Sequence, residues 1–409
     1  MAHHINAPLT GSMNRNERER AVHTRNCQAT YSHKHRSVHI HNCQAAHSGK
    51  RRHRGQTTRP AHTSPAPLLE VLKPGLLTTV QDVGRYGYQP YGVAVSGAID
   101  PFALQVGNIL VGNHRQEAAL EIALLGPHFR LLRDCTLAVC GANLSPALDG
   151  VPLPLWQSFR AKAGQVLSFG QAKSGVYAYV TVRGGIDVPV VMGSKATYVK
   201  GQFGGWKGRK LQTGDVLFGG VAVNEPGVGH TDDTNHALDG GRRGRRSVKE
   251  KTPSRSSRSL HPSYIPDYNA DRAIRVVLGP DDDHFTTDSI QTFLTQLYTV
   301  SPHIDRMGYR LTGPRLIHRT GADIISDAVA LGTIQVPANG EPIVLMADRQ
   351  TTGGYARIAT VVSVDLPLLA QRPPGRSVTF RAVSVEEAQV LYVEREKLLR
   401  MLGVGATVV

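Results

Sequence analysis

The sequence has little of what marks a membrane-spanning or exported protein. No apolar run is long enough to cross a bilayer, and no signal peptide with an apolar central region is present. Cysteine is scarce, with four residues in 409. Cys135 and Cys140 lie five positions apart around a short apolar run, so on a strand they would face opposite sides, and we expect free thiols. Free buried thiols suit a reducing compartment, which predicts a cytoplasmic protein.

Common motifs of nucleotide-binding and hydrolytic enzymes are also absent. The sequence contains no P-loop, no strand–turn–helix dinucleotide fingerprint, no His-Glu-x-x-His pair and no nucleophile elbow of the α/β-hydrolase type. These absences exclude the best-known ways of holding a nucleotide or activating a nucleophile. If the chemistry uses a nucleotide, it is held in an unfamiliar way or by a partner.

Positive charge is abundant but confined to two polar segments. Of the formal net charge of +15, residues 1–65 contribute +9 and residues 226–262 contribute +4. The remainder is nearly neutral and shows no basic face with interleaved aromatic residues. The sequence therefore predicts binding to neither nucleic acid nor membrane by the folded body.

The same two regions have the composition of unfolded segments. Residues 1–65 are rich in His and Arg and poor in large apolar residues, so we expect a disordered extension. Residues 221–266 are predicted to form an Arg/Ser-rich linker exposed to solvent. The extension holds a loose set of possible metal ligands, namely Cys27, His33, His35, His39, His41 and Cys43. They lack the paired spacings of zinc modules, so we favour disorder and expect no metal site.

A duplication organises the rest of the chain. The segments 163–189 and 339–367 both read as a glycine turn, an apolar strand, a polar loop, a second apolar strand and Asp-x-Pro. Matching positions at constant offset are Gly175 and Gly353, Tyr177 and Tyr355, Asp187 and Asp365, and Pro189 and Pro367. A long repeat seen twice indicates two similar units, and the cleft between two units is a common place for a ligand site.

Short apolar runs separated by turns predict a mainly β fold with a few short helices. The runs between Glu121 and Phe218 have the cadence of a β-barrel or sandwich. One helix is expected to begin at Pro101, with Asp100 as its N-cap. Another is expected near the C-terminus, where Ser384 and Glu387 form a capping-box pattern.

Polar residues in glycine-rich loops are the candidate site residues of the first unit. Asp82 is a candidate acid/base or orienting group, and Arg85 is a candidate clamp for a carboxylate. An internal Asp–Arg pair that fixes the loop explains the same two residues equally well. Asn143 could polarise a carbonyl or simply form a turn. The candidate substrate-binding residues of this unit are Gln81, Arg85, Ser96, Asn143 and Arg183.

The second unit offers a more crowded polar loop. Five hydrogen-bonding side chains follow one another from Asp348 to Thr352, which exceeds what a turn needs. We expect this loop to form a wall of the site, with arginines suited to a small acidic substrate. The candidate substrate-binding residues here are Arg310, Gln350, Thr351, Thr352 and Tyr355. The candidate catalytic residues of the whole chain are Asp82, Arg306 and Asp348.

Many of these segments resemble one known family. TTVQDVGRYGY, SGAIDPFALQVGNILVGN and VRGGIDVPVVMGSKAT occur in the first unit, and DRMGYRLTGP and ADRQTTGGYARIATVVSVDL in the second. Over about residues 68–395 the chain resembles the biotin-dependent carboxyltransferase family, also called allophanate hydrolase subunit 2. Its stand-alone bacterial members include the C component of 5-oxoprolinase. The resemblance implies two tandem cyclophilin-like β-barrel domains, at residues 68–220 and 267–402, the second with a C-terminal helix.

The resemblance also implies a function and partners. The implied enzyme is an ATP-dependent amidohydrolase, 5-oxoprolinase, which opens the lactam of 5-oxo-L-proline to give L-glutamate. One implied partner is the B component of that enzyme, which is similar to allophanate hydrolase subunit 1 or KipI. The other is its A component, a protein of the LamB/YcsF type. ATP would be held by the complex, because this chain has no P-loop.

Two alternatives share the same motifs. In urea carboxylase this fold is the carboxyltransferase part, and biotin delivers the carboxyl group. The present chain has no biotinyl-acceptor Met-Lys-Met and no ATP-grasp region, so that reaction would require a separate carrier. The other alternative is a non-catalytic regulator that binds a KipI-like kinase inhibitor.

Overall fold

The computed structural model describes residues 66–219 and 257–405. The predicted extension 1–65 lies outside the described residues, and so do residues 221–256, which are most of the predicted linker. The described part consists mostly of β-strands with a few helices, so the predicted mainly β fold class is confirmed. We call residues 66–219 the first half and residues 257–405 the second half.

The first half forms two antiparallel sheets and one helix. Its elements are β1 (Ala66–Lys73), β2 (Leu77–Gln81), α1 (Pro101–Val111), β3 (Ala119–Ala123), β4 (His128–Leu131), β5 (Cys135–Asn143), β6 (Ala147–Leu148), β7 (Val151–Pro152), β8 (Ser158–Ala161), β9 (Val166–Ser168), β10 (Ser174–Val182), β11 (Ile186–Asp187) and β12 (Val216–Gly219). One sheet has the order β11-β12-β1-β4-β9-β6-β7 and the other β2-β3-β10-β5-β8. Strands β3 and β10 are buried on both faces, as their nearly continuous apolar sequences require.

The second half has one large sheet and a two-stranded ribbon. Its elements are β13 (Ile274–Leu278), α2 (Thr287–Thr295), β14 (Tyr298–Ile304), β15 (Gly308–Thr312), β16 (Asp323–Ala328), β17 (Thr333–Gln335), β18 (Ile343–Leu345), β19 (Thr352–Tyr355), β20 (Arg357–Val361), α3 (Leu366–Ala370), β21 (Ser377–Val378), β22 (Phe380–Ala382) and α4 (Val385–Gly405). The large sheet has the order β21-β14-β15-β18-β17-β20-β13-β22, and β16 pairs with β19. In the described ranges, no sheet takes strands from both halves.

Strands recur in both copies of the duplication, but their pairing differs. Strands β9 and β18 occupy matching positions, and β10 matches the stretch that contains β19 and β20. β10 is one continuous strand between β3 and β5. Its counterpart is divided, because β19 belongs to the ribbon while β20 pairs with β13 and β17 in the large sheet.

Local signals for α1 act as the sequence predicts. The Asp100 side chain accepts a hydrogen bond from the backbone N–H of Ala103 at 3.0 Å, and Pro101 occupies the first helical position. Gly112 ends the helix in the left-handed conformation, at a φ of 79°. α1 packs on β5 and β10 and also contacts α4 of the second half.

Apolar packing joins the two halves. One cluster of buried residues lies within the first half, between its two sheets. The other includes α1 and Tyr179 of the first half together with residues of the second half such as Ile358 and Leu369. Gln371 adds polar links, because its amide oxygen accepts from the backbone N–H groups of Val176 and Tyr177 at 2.7 and 2.9 Å. Its amide nitrogen donates to Asp100 Oδ2 at 3.0 Å and to the Tyr177 carbonyl at 2.8 Å.

Three further sequence expectations concern this fold. Cys135 and Cys140 are free thiols, as predicted. Among the described helices, none is both long enough and apolar enough for a membrane span. Residues 257–266, the end of the predicted linker, pack against the first half, where Leu260 is buried and its N–H donates to the Trp156 carbonyl at 2.9 Å. The domain boundaries themselves remain predictions.

Candidate functional site

The glycine-rich loop after β2 meets the second half at a contact that we call the junction. It is formed by residues 82–99 of the first half and residues 306–307 and 346–349 of the second. The Ser96 N–H donates to the Ala347 carbonyl at 3.0 Å. Arg306 Nη2 donates to the Gly97 carbonyl at 2.7 Å. The junction therefore gathers predicted site residues from both units.

Arg306 is the centre of a buried ionic network at the junction. Its guanidinium binds both carboxylate oxygens of Asp348, at 2.9 and 3.0 Å, and also donates to Glu121 of β3. Glu121 in turn accepts from the Ile99 N–H at 2.9 Å and from the Tyr179 hydroxyl at 2.7 Å. Bidentate pairing of this kind is strong and geometrically specific. Arg306 and Asp348, two of the candidate catalytic residues, therefore bind each other.

The charges in this network are strongly influenced by burial. Burial raises the pKa of Glu121, although Arg306 and the Ile99 N–H act in the opposite direction. Burial lowers the pKa of Arg306, but the carboxylates of Asp348 and Glu121 outweigh it, and the pKa is raised above its ordinary value. Arg306 is therefore a permanent cation held between two acidic side chains.

Asp82 holds two loops of the first half together. One carboxylate oxygen accepts from the Gly84 N–H and from the Ser194 hydroxyl, both at 2.8 Å. The other accepts from the Lys195 N–H at 2.6 Å. Asp82 is buried, and these three bonds occupy both of its oxygens, which fixes residues 194–195 against the loop after β2.

Arg85 is fully buried and lies beside the same loop. It donates to the carbonyls of Val191 and Ala196 at 3.0 and 2.9 Å, and its guanidinium stacks over Phe203 at 4.8 Å from the ring centroid. Burial lowers its pKa, while Asp82 and Asp348 act to raise it. The described residues place no carboxylate within ion-pair distance of Arg85. The predicted Asp82–Arg85 pair is thus not formed, and each side chain fixes the loop separately.

Three buried polar atoms in this region have no hydrogen-bond partner within the part of the chain that the structure describes. They are Gln81 Oε1, Arg85 Nη1 and Ser96 Oγ. Gln81 Nε2 and Arg85 Nη2 bond to the neighbouring carbonyls of Thr197 and Ala196, and the Arg85 N–H donates to the Val95 carbonyl. The three atoms therefore belong to adjacent residues in space. Buried polar groups without partners are costly, so these three atoms call for polar partners that the described residues do not supply.

Arg349 is a third buried arginine at the junction and comes from the second half. It donates to the Val329 carbonyl at 3.2 Å, and burial lowers its pKa. Like Arg85, it forms no ion pair with a carboxylate of the described residues. Arg85 and Arg349 are therefore buried guanidinium groups bonded to neutral oxygens, and guanidinium groups of this kind can bind an anionic group.

The polar loop of the second half is divided by the structure. Asp348 and Arg349 are buried at the junction, whereas Gln350 is exposed and donates to Gln335 Oε1 at 3.3 Å. Thr351 is half-buried, and Thr352 and Tyr355 lie exposed on the ribbon strand β19. Only the first part of the predicted wall therefore belongs to the junction.

Three other predicted residues make no contact with the junction in the described ranges. The Asn143 side chain accepts from the Ser145 N–H at 3.0 Å, which is the bond of a turn. Arg183 follows β10 and is half-buried, and Arg310 is exposed on β15. The turn explanation of Asn143 therefore accounts for its observed bond.

Sequence reasoning missed Glu121 and Tyr179 and did not single out Arg349. A signal for Glu121 was available, because it is the lone charged residue in the buried strand β3. A carboxylate in such a strand requires a buried partner. Tyr179 gave no comparable signal, since tyrosine is ordinary in a strand.

Comparison with known proteins places this two-half architecture in a defined class. The family model described as "Carboxyltransferase domain, subdomain A and B" matches residues 91–382. The chain belongs to this family, as its sequence motifs indicated. Two similar curated relatives are the C components of 5-oxoprolinase from Haemophilus influenzae and from Escherichia coli. The first is 34% identical over 329 residues, covering 80% of this chain and 96% of the relative. The second is 35% identical over 338 residues, covering 82% and 98%.

Urea-metabolising proteins share the same fold. Urea amidolyase of Saccharomyces cerevisiae is 31% identical over 348 residues, which cover 82% of this chain but 18% of that protein. The crystal structure of the Kluyveromyces lactis urea amidolyase has a TM-score of 0.72 at 29% identity, covering 84% of this chain and 20% of the other. The urea carboxylase from the same yeast also has a TM-score of 0.72 at 29% identity, covering 85% and 30%. The present chain thus corresponds to a small part of those proteins.

Proposed function

We propose that this chain is one component of an ATP-dependent 5-oxoprolinase, which hydrolyses 5-oxo-L-proline to L-glutamate together with partner subunits. The relatives named as the C component of that enzyme are matched over nearly their full length, whereas the urea amidolyases are matched over about a fifth. The single observation that carries the proposal is the pair of buried arginines at the junction, Arg85 and Arg349, neither of which forms an ion pair with a carboxylate of the described residues. A carboxylate-bearing substrate would supply the charge that they lack.

The proposed roles follow from the contacts of each side chain. Arg85 clamps the substrate carboxylate, and Ser96 and Gln81 offer an unpartnered hydroxyl and an unpartnered amide oxygen to the polar atoms of the lactam. Asp82, Arg306 and Asp348, the candidate catalytic residues, hold these groups in position, since each binds neighbouring loops. Positioning of this kind is itself a large catalytic contribution.

ATP and the partner proteins belong to the same proposal. When bound, ATP supplies the phosphoryl group that activates the unreactive lactam carbonyl. The junction offers arginine donors but the chain has no P-loop, so we assign ATP binding to the complex. The partners are a KipI-like protein, similar to allophanate hydrolase subunit 1, and a protein of the LamB/YcsF type, and the complex is cytoplasmic.

The test is reconstitution of the complex from this chain and the two partners. We expect ATP-dependent release of glutamate from 5-oxoproline, measured by enzymatic detection of glutamate. Arg85→Gln should raise the KM for 5-oxoproline by at least about tenfold, because a charge-assisted bond is lost. Arg310→Gln, an exposed change on β15, is the matched control and should leave the rate unchanged. An assembled complex that releases no glutamate would exclude this function and favour the regulator.

A second candidate is a carboxyltransferase component that works with a separate biotin carrier. The TM-score of 0.72 to urea carboxylase supports it. Its test is carboxyl transfer from a carboxybiotin carrier protein to urea, followed with labelled bicarbonate. Transfer without ATP-dependent glutamate release would favour this candidate over the first.

A further inference from the structure

A cavity rich in arginine lies in the second half, away from the junction. Its volume is about 330 Å³, and it is bounded by residues 271–272, by Leu297 and by the segment 372–379. None of the junction residues lines it. This volume is at the lower end of the range for small-molecule sites, which begins at about 300 Å³.

Three arginines line this cavity. The side chains of Arg272 and Arg376 are about half exposed, at 55% and 44%, whereas that of Arg372 is buried. Asp271 is the single carboxylate in the cavity lining. It lies 3.2 Å from Arg376 Nη2 and 3.9 Å from Arg372 Nη1. The cavity therefore carries an excess of positive charge.

The nearest other carboxylate does not cancel this excess. Asp365 lies 3.9 Å from Arg272, but its two oxygens already bind Arg275 at 2.7 and 2.9 Å. A carboxylate held in a bidentate pair by one arginine offers little to a second. Asp365 at 3.9 Å is therefore a weak partner for Arg272, whose side chain is 55% exposed.

Arg372 gives the cavity a fixed cation. It donates to the backbone carbonyls of Ala270 and Arg272 at 3.2 and 3.0 Å and to that of Ser377. These bonds use neutral oxygens, the Asp271 carboxylate is 3.9 Å away, and Arg372 Nε has no hydrogen-bond partner in the described residues. Burial, together with the nearby charges of Arg376 and Arg272, lowers its pKa, although Asp271 acts to raise it. An anion bound in the cavity would offset the desolvation cost of the buried Arg372 charge and reduce the repulsion among the three arginines.

We propose that this cavity binds a phosphate group, either as free phosphate or as part of a small phosphomonoester. Phosphate is favoured because it is a dianion near neutral pH, and three arginines opposed by one aspartate leave about two positive charges to match it. Several oxygens on one atom can also bind several guanidinium groups at once. This site does not depend on the proposed enzymatic function.

The experiment is calorimetric titration of the full chain with inorganic phosphate and, separately, with glycerol phosphate. We expect saturable binding that weakens by about tenfold in Arg376→Gln and in Arg272→Gln, because each removes one charge-assisted contact. Both side chains are partly exposed, so both variants should fold, which circular dichroism would verify. Arg381→Gln is the matched control, since Arg381 is also exposed but pairs with Glu387 outside the cavity.

The two ligands distinguish the two sources of the phosphate group. Tighter binding of glycerol phosphate identifies a phosphomonoester site, and tighter binding of inorganic phosphate identifies a site for the free ion. Equal affinity in the two cavity variants, the control variant and the unmodified chain would overturn the proposal, and so would the absence of saturable binding by either ligand.

Discussion

At the scale of single residues, buried charges control both the stability and the candidate site. Arg306 and Arg85 are each buried, but they differ in their partners. Arg306 is neutralised by two carboxylates, whereas Arg85 is bonded to carbonyls and an aromatic ring. The first arrangement is that of a structural ion pair, and the second leaves a charge available to a ligand.

Replacement of Arg306 should therefore destabilise the protein severely. Arg306→Gln leaves the carboxylates of Asp348 and Glu121 buried without a cation, and we expect a loss of about 3–5 kcal/mol in the free energy of unfolding. Urea denaturation followed by circular dichroism measures this loss. Arg310→Gln, on the exposed face of β15, should change stability by less than about 0.5 kcal/mol. Similar stability of the two variants would contradict a structural role for Arg306.

The pair of Asp215 with Arg209 predicts a pH dependence. Burial alone would raise the pKa of Asp215, but bonds from Arg209 and the Gln212 N–H lower it from 3.8 to about 2. Because the pKa of Asp215 is lower in the folded state, ionised Asp215 stabilises the folded protein at pH values above 3.8, its ordinary pKa. This contribution is lost as the pH falls through about 2, its pKa in the folded state.

Asp215→Asn should accordingly be less stable than the unmodified chain at pH 7 and equally stable near pH 2. Chemical denaturation at a series of pH values provides the measurement. Arg209→Gln, which removes the other partner, should show the same convergence at low pH. A stability difference that persists undiminished at pH 2 would be inconsistent with this pair.

At this scale the sequence drew attention to several polar side chains that the structure buries. Glycine-rich loops pointed to Gln81, Arg85 and Ser96, all of which are buried, and their proposed role in substrate binding stays a prediction. The same reasoning included Arg310 and Thr352, which are exposed, because loop composition does not reveal which side chains point inward. The lone charge of Glu121 in β3 indicated a buried partner, but that partner, Arg306, is 185 residues away in the chain, and such pairing depends on the complete fold.

At the scale of elements, helix caps were predicted well and strand pairing was not. Asp100 and Ser384 both accept the capping bonds that their positions in the sequence indicate. The duplicated strands were also located correctly, but β10 stays whole where its counterpart divides into β19 and β20. Caps depend on a few neighbouring residues, whereas pairing depends on contacts distant in sequence.

The two caps differ in what else depends on them. Asp100 also accepts from the Tyr268 hydroxyl at 2.7 Å and from Gln371 at 3.0 Å, whereas the Ser384 hydroxyl makes its capping bond at an exposed position. Asp100→Ala should therefore cost about 2–4 kcal/mol, the sum of a cap and of partners left unsatisfied. Ser384→Ala should cost about 1 kcal/mol. Thermal and urea unfolding of both variants measures the two losses in the free energy of unfolding. Equal losses would show that the additional bonds of Asp100 contribute nothing.

At the scale of the whole molecule, the two halves share a core although they share no described sheet. Buried residues of α1 pack with residues of the second half, and Gln371 bonds to the backbone of β10. Residues 66–219 or 257–405 alone would expose this apolar surface. Sequence analysis predicted two similar units from the repeat but could not show how much surface they bury together.

Separate expression of the halves tests this dependence. We expect residues 66–219 and residues 257–409 to co-purify as a 1:1 complex when expressed together, and each to aggregate when expressed alone. Gln371→Ala in the second fragment should reduce recovery of the complex, because four hydrogen bonds to the first half are lost. A monomeric, folded first fragment would show that its core is sufficient without the second.

The amide of Gln371 and the ion pair of Arg306 with Glu121 couple the two barrels in a further way. Unfolding of one half removes polar and apolar partners from the other half. We therefore expect no temperature range in which one half is folded while the other is unfolded. Scanning calorimetry should then record one endotherm whose van't Hoff and calorimetric enthalpies agree, the behaviour of a single cooperative unit.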